Sequence, residues 1–580
     1  MRGWLRRVHP YTPELARLRA LMLAAAEAPL PHGEASESAD PLPNVRALIT
    51  QAARCSVLML RLELPGVRLS DADAAVVGAA LRHLPSLEAL DLRGCCMEPS
   101  AVLSLAAPMS RAHLSTLQTL LLGGNWNEAQ LEVAVRCTEA ICAALVLAGA
   151  RSLSTLSIPN GMLPQGATAL CEALAALHPP LTHLDVSDSR FGCGGMLALL
   201  DASRRSPLDK LERLDLFACH IGPRGGESLG RFLSASGTRS SQDGTTLAPK
   251  PPPLLSLSLG DNAIQDRGLA ALAAALVHNP RLAATLIDID LSSNGIGLQD
   301  DTSLFLPGGG SACDEFARAL QLAGSDTSGG GGVALQWLNF SQNFLGKDGM
   351  RGVVSALRAA PLLTCLDVAC CNLHDGGVHA LAEHLAASGS PALSTLGIYN
   401  QPEVTDGAAR ALMLALREGV PNLTALHAGR INMLGDSDDS AAAAAVALVE
   451  ERPRLKYLDL RDNAPLDASL TRRVDEVCRL RPGLRLFNPT DPWPGEEAND
   501  VFSAMEGWHQ AGLVDSRQMF CRFQQTIWFY RGDDRGGELN QPVYVIEEPG
   551  GELNHVAGGM ATGSEEVAES PSPSDNLHAP

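Results

Sequence analysis

Leucines return along this chain in a fixed spelling, L-x-x-L-x-L-x-x-N/C-x-L, at intervals near 28 to 32 residues. The clearest copies begin at Leu87, Leu117, Leu181, Leu211, Leu254 and Leu286, and the same spelling starts at Leu153, Leu335, Leu363, Leu393, Leu423 and Leu455. A degenerate copy, MLRLELPGVRL, starts at Met59 and makes thirteen, and LRLFNP from Leu484 has the look of a last half repeat. Within each copy the second and third leucines alternate with other residues, the period of a short strand with one face toward a core. The Asn or Cys that follows is placed to tie down the backbone where the chain turns. Between copies the period lengthens to that of a helix: Val378, Leu381, Ala382 and Leu385 fall on one face of DGGVHALAEHLAAS, and similar faces recur over residues 269–276 and 408–416. One strand and one helix in about 28 residues predict a parallel sheet inside and helices outside.

This pattern resembles the ribonuclease-inhibitor type of leucine-rich repeat over residues 59–488, about three quarters of the chain. The resemblance implies an α/β horseshoe, a leucine-rich-repeat solenoid of about thirteen repeats. A repeat cannot bury its own apolar face, so a solenoid needs caps. Residues 1–58 are read as an N-terminal cap and linker, with helices over 13–27 and 44–54 joined by the Pro/Ser/acid-rich stretch 28–43. Ten of the 23 aromatic residues lie after residue 485, so 489–555 reads as an aromatic-rich cap or small module. The acidic, Pro/Ser/Gly-rich end, 556–580, has the composition of a disordered tail. Three spacings are long, 36 residues after Leu117, 43 after Leu211 and 49 after Leu286, and their extra segments must leave the solenoid.

Charge narrows the partners. With 45 Lys+Arg against 65 Asp+Glu the net charge is −20, which disfavours nucleic acid and anionic membranes and favours a basic protein partner. No apolar run reaches the roughly 18 residues of a membrane span. The arginine-led N-terminus breaks its apolar stretch with Glu14, Arg17 and Arg19, unlike a secretory signal. Fourteen cysteines are far too few for a disulfide scaffold, and Cys95, Cys219 and Cys371 fall at the N/C position of the repeat, so they read as reduced, structural thiols. A cytoplasmic setting is expected, with cytoskeletal or ciliary association open. Gly346-Lys347 lacks the glycine of a phosphate loop, HALAEH has the wrong order for a zinc helix, and no Cys pair has C-x-x-C spacing. Neither a metal nor another cofactor is expected, and no catalytic residue is assigned.

The third, fifth and seventh positions of each copy must face away from the core. At the fifth position stand Glu63, Asp91, Leu121, Ser157, Asp185, Asp215, Ser258, Asp290, Asn339, Asp367, Gly397, His427 and Asp459: seven of thirteen acidic, none Lys or Arg. Strands stacked about 5 Å apart turn them into a negative ladder suited to a partner's arginines and lysines. The same spelling also serves simply to solvate the inner face. Flanking columns add Arg61, Arg93, His183, Arg213, Phe217, Trp337, Tyr399, Tyr457 and Arg461. Exposed Trp and Tyr are costly unless covered, so Trp337 and Tyr399 stand out as anchors, with Tyr457, Asp459 and Arg461 as a C-terminal cluster; the alternative for each is lateral packing against its neighbouring strand. The sequence therefore predicts a non-enzymatic scaffold that binds a protein on its concave acidic and aromatic face. A second reading is a GTPase activator acting on a small GTPase, because the horseshoe is similar to that of the Ran GTPase-activating proteins, which also carry acidic C-terminal segments. No position here matches that family's functional arginine loop, and thirteen copies depart from its pattern. The repeat type also resembles the sensor half of nucleotide-binding receptors, though no nucleotide-binding domain precedes it.

Overall fold

Each of the thirteen leucine copies forms a three-residue strand and then a helix, in a computed structural model that describes residues 60–490 apart from 65–68, 124, 126–130, 160–163, 235–250, 298–310, 326–331 and 436. The described residues belong to the first of two units, Met1–Trp493 and Pro494–Pro580. Both expected N-terminal helices, the aromatic-rich segment and the acidic tail lie outside them.

The strands run from β1 (Arg61–Glu63) to β14 (Arg485–Phe487) in one open sheet whose order follows the chain order, every neighbouring pair parallel. The fourteenth strand is the half repeat at Leu484. Register is one repeat to the next, as in β5 (His183–Asp185) on β6 (Arg213–Asp215), where Asp185 sits opposite Asp215. β10 (Cys365–Asp367), β11 (Thr395–Gly397), β12 (Ala425–His427) and β13 (Tyr457–Asp459) follow the same rule. Helices such as Gln265–His278, His374–Ser388 and Asp406–Gly419 return the chain, burying the leucines that the period marked: Val378, Leu381, Ala382 and Leu385 in His374–Ser388. The 36-residue spacing after Leu117 accommodates the 18-residue helix Leu131–Ala148. The segments that lengthen the other two spacings lie largely outside the described residues.

The leucines at the first, fourth and sixth positions are the core: Leu87, Leu90 and Leu92, or Leu363, Leu366 and Val368, are all 0–1% exposed. The ninth position welds repeats together. Asn343 donates from Nδ2 to the carbonyls of Leu291 (2.8 Å) and Phe340 (2.8 Å) while its Oδ1 accepts from the N–H groups of Asn294 and Ile296, both at 3.0 Å. Asn262 and Asn463 make the same four bonds. Where Cys replaces Asn, its S–H donates to a carbonyl of the preceding repeat: Cys95 to Leu64, Cys219 to Val186 and Cys371 to Phe340, each at 3.1 Å. Backbone groups left bare in a turn this deep would be costly, which is why the position is Asn or Cys and not leucine. The sequence assignment of these cysteines as structural holds. The two histidines of HALAEH also separate: His379 Nδ1 sits 2.7 Å from the Asp375 carbonyl on an exposed helix surface, whereas His384 is buried and accepts from Arg358 Nε at 3.1 Å.

Candidate functional site

The fifth-position acids do a local job first. Each carboxylate folds back to accept the N–H two residues on, closing an Asx turn that ends the strand: Asp91 from Arg93 (3.1 Å), Asp185 from Ser187 (3.1 Å), Asp215 from Phe217 (3.1 Å), Asp290 from Ser292 (3.0 Å), Asp367 from Ala369 (3.0 Å) and Asp459 from Arg461 (3.1 Å). Asn339 does the same to Ser341 at 2.9 Å, so the turn needs an oxygen acceptor and not a charge. The register sets Asp185 beside Asp215 and Glu63 beside Asp91, while Asp290, Asp367 and Asp459 stand beside Asn339, Gly397 and His427, and the column's members are unequally presented. Asp185, Asp215 and Asp367 are half-buried, whereas Asp91, Asp290 and Asp459 are 7%, 6% and 2% exposed. Glu63 lies in β1, and its side chain is outside the described residues.

Near both ends the chain supplies its own cation. Arg93 forks onto Asp91, with Nε to Oδ1 at 3.0 Å and Nη2 to Oδ2 at 2.7 Å, and Arg461 forks onto Asp459 with 2.9 and 2.7 Å. The two forks differ in cover: the Arg93 side chain is 55% exposed and that of Arg461 only 6%. Arg461 is sealed because its guanidinium lies 4.4 Å from the centre of the Phe487 ring. Tyr457 is packed between His427 (4.6 Å between ring centres) and Phe487 (5.6 Å), and burial, followed by the Asp459 charge, pushes its hydroxyl pKa up.

For Trp337, Tyr457 and Arg461 the structure favours packing against neighbouring strands over standing exposed as anchors. Trp337 is 8% exposed, and Tyr457 and Arg461 are 5% each. For Tyr457 and Arg461 the reason is geometric: strands about 5 Å apart place large side chains of adjacent repeats at ring-stacking distance, so they cover one another. Tyr399, like Phe217 at the same position of its repeat, keeps an open side. It is half-buried and crosses Gly429 of the next repeat, where a Cβ would come within 3.0 Å of the ring. It is hydrogen-bonded to Arg430, and burial, with Asp462 nearby, raises its hydroxyl pKa to about 12. Gly397 plays the matching part for Asp367, since a Cβ there would stand 2.6 Å from Oδ1. Two glycines in inward-facing columns thus make room for the carboxylate and the ring.

Around this pair the structure gathers residues that the column reading did not single out. The eighth position of the repeats is left-handed: Cys370 (φ 55°), Asn400 (57°), Arg430 (53°) and Asp462 (58°) follow one another along the rim. Their N–H groups bond the next repeat, Cys370 to the Tyr399 carbonyl at 2.8 Å and Asn400 to that of Gly429 at 3.0 Å. Asn400 Nδ2 donates to Cys370 Sγ at 3.3 Å. A visible signal existed in the D-x-R spelling of LDLRG and LDLRD for the self-neutralised ends. For the rim, the glycines at Gly397 and Gly429 were the clue.

A leucine-rich-repeat profile matches residues 83–106, 210–230, 250–273 and 359–382, which carry β2 (Ala89–Asp91), β6, β7 (Ser256–Ser258) and β10. Together with one parallel strand and a returning helix per repeat, this decides the family. The chain is a leucine-rich-repeat protein of the ribonuclease-inhibitor type. Part of this leucine-rich-repeat protein, 135 residues or 23% of the chain, is 33% identical to Ran GTPase-activating protein 1 of Xenopus laevis and spans 22% of that protein's length. Among solved structures, a chain of the yeast Rad7 and Elc1 complex is similar at 13% identity and a TM-score of 0.34, covering 82% of this chain and 92% of that one. A chain of the TLR13–ssRNA13 complex is similar at 17% identity and a TM-score of 0.30, covering 70% and 41%. No helix among the described residues of the leucine-rich-repeat protein is long and apolar enough to cross a membrane.

Proposed function

We propose that this protein is a non-catalytic interaction scaffold whose concave sheet docks a protein partner bearing arginine and lysine side chains. The observation that carries the reading is the fifth-position column, in which Asp185, Asp215 and Asp367 remain half-exposed at fixed strand spacing while no position of the column is Lys or Arg. A rigid sheet presents such groups without an ordering cost on binding, so their attraction is retained as affinity and on-rate. The partner's cations meet Asp185, Asp215, Asp367 and Tyr399, and Asp91, Asp290, Trp337, Tyr457, Asp459 and Arg461 shape the sheet beneath, with Glu63 at its first strand. A cytoplasmic setting fits the fold's use of Cys95, Cys219 and Cys371 as thiol donors, which must stay reduced to donate.

The test uses Asn, because Asn339 shows that an amide closes the same turn. Wild type and the triple variant Asp185→Asn, Asp215→Asn, Asp367→Asn are compared in affinity capture from the source cell's soluble extract at low and high salt. Selective loss of a basic protein from the folded variant supports the reading. Capture of the same proteins by both, with no salt dependence, refutes it. A second reading, a GTPase activator, draws support from the segment 33% identical to Ran GTPase-activating protein 1. Under that reading the chain accelerates GTP hydrolysis by a small GTPase, and no acceleration across a panel of them removes it.

A further inference from the structure

We infer that Phe217 and Asp215, at the seventh and fifth positions of the β6 repeat, form a docking point for one arginine side chain of the partner, its guanidinium lying on the open face of the Phe217 ring and its N–H groups directed to the Asp215 carboxylate. The inference rests on the docking-face reading and says where one of the partner's cations seats. Both residues occupy inward-facing positions and both are half-buried. Asp215 Oδ1 accepts from the Phe217 N–H at 3.1 Å, and the Phe217 carbonyl accepts from the Asp188 N–H at 2.8 Å, so the backbone is committed and the ring is what Phe217 offers. That ring lies on Gly260 of the next repeat, where a Cβ would stand 2.8 Å from Cδ2 and Cε2. Backbone thus covers one side of the ring and leaves the other to a ligand. The chain itself shows how such a pair is filled. At β13 the fifth-position Asp459 is forked by Arg461, whose guanidinium lies 4.4 Å from the centre of the Phe487 ring. There the cation comes from the seventh position; at β6 that position is the ring itself. Charge around the ring favours a cation from outside. Asp185 stands opposite Asp215, and Asp188 and Asp261 occupy the eighth positions on either side, all at least half-exposed, against Arg213 and Arg190 at the third and tenth. Tyr399 has the same seat on Gly429, but the eighth position beside it is Arg430, to which it is hydrogen-bonded, whereas beside Phe217 that position is Asp261. A planar guanidinium lays its face on a ring while its edge forks onto a carboxylate, which an ammonium does not offer.

The test is a ligand-observed NMR titration of the full chain with Nα-acetyl-arginine amide, against the lysine and leucine analogues. The arginine probe is expected to bind more tightly than either. Phe217→Leu, which keeps an apolar cover on Gly260 but removes the ring face, is expected to weaken the arginine probe about threefold, the effect of one exposed cation–π contact, and to leave the lysine probe nearly unchanged. Asp215→Asn keeps the turn acceptor, is expected to weaken both cationic probes, and carries the test if Phe217→Leu fails to fold by circular dichroism. Unchanged arginine affinity in Phe217→Leu or in Asp215→Asn, no preference for arginine over lysine in the wild type, or tighter binding of the leucine probe overturns the docking point. Arginine binding weakened in Asp215→Asn but kept in a folded Phe217→Leu overturns the ring contact and leaves the docking face standing. An arginine site that depends on Phe217, in a chain whose partner capture ignores the aspartates, does the reverse.

Discussion

Single side chains in this solenoid carry unequal loads, and the hydrogen bonds say which. Asn343 satisfies four buried backbone groups in two repeats. Asn343→Ala strips all of them and is expected to cost about 3 kcal/mol or more, measured by urea denaturation. Cys219 donates one weaker S–H bond, so Cys219→Ala is expected to cost less, about 1–2 kcal/mol including its lost packing. At the fifth position, Asp367→Asn is expected to stay within about 0.5 kcal/mol of wild type because the turn acceptor survives, whereas Asp367→Ala loses it and is expected to cost about 1 kcal/mol. Equal stability of the Asn and Ala variants would show that the turn bond contributes nothing.

At the scale of an element, helix His374–Ser388 carries a buried titratable group. His384 is 3% exposed, and burial, then the Arg358 charge, lowers its pKa from the ordinary 6.5. Its neutral ring accepts from Arg358, a bond that protonation destroys. A depressed histidine binds protons more readily unfolded than folded. Its contribution is therefore full above about pH 6.5 and is lost as pH falls below that value toward the folded pKa. Thermal melts between pH 7 and pH 5 are expected to show a fall in stability that His384→Gln flattens. Parallel pH profiles for the two proteins would refute this assignment. Helix Asp406–Gly419 shows a second device: Asp406 accepts from the Leu434 and Ala441 N–H groups of the next repeat, linking one helix to the start of its neighbour.

On the scale of the whole solenoid, stability is a sum over neighbours, so the last repeat is the weakest. Helix Ala468–Leu480 buries only Leu470, Val474 and Val477, Leu480 is 66% exposed, and the β14 residues are exposed or half-buried. Hydrogen exchange is expected to be faster over 468–487 than over 363–388, and equal protection would mean that something outside the described residues covers this end. Most of the fold was legible in advance, because each copy spells its own strand, turn and helix. Less of the site was. The letters assign Asp185, Asp215, Asp367 and Tyr399 to inward-facing columns, but nothing in a column of letters says that Arg461 lies under Phe487 or that Tyr457 is packed between two rings.

The sequence by itself determined which residues form strands, which leucines are buried, which positions face inward and why the ninth is Asn or Cys. These follow from periods of two and near four within a single repeat, where neighbours in space are neighbours in the chain. Only the tertiary structure decided which inward residues reach the surface, where the chain neutralises its own acids and which rings lie on a glycine of the next repeat. Those outcomes depend on residues 28 to 49 positions apart brought side by side by parallel pairing, such as Asp185 with Asp215 and Tyr457 with Phe487. At a spacing of about 5 Å, the size of each neighbour sets how much of a side chain remains exposed.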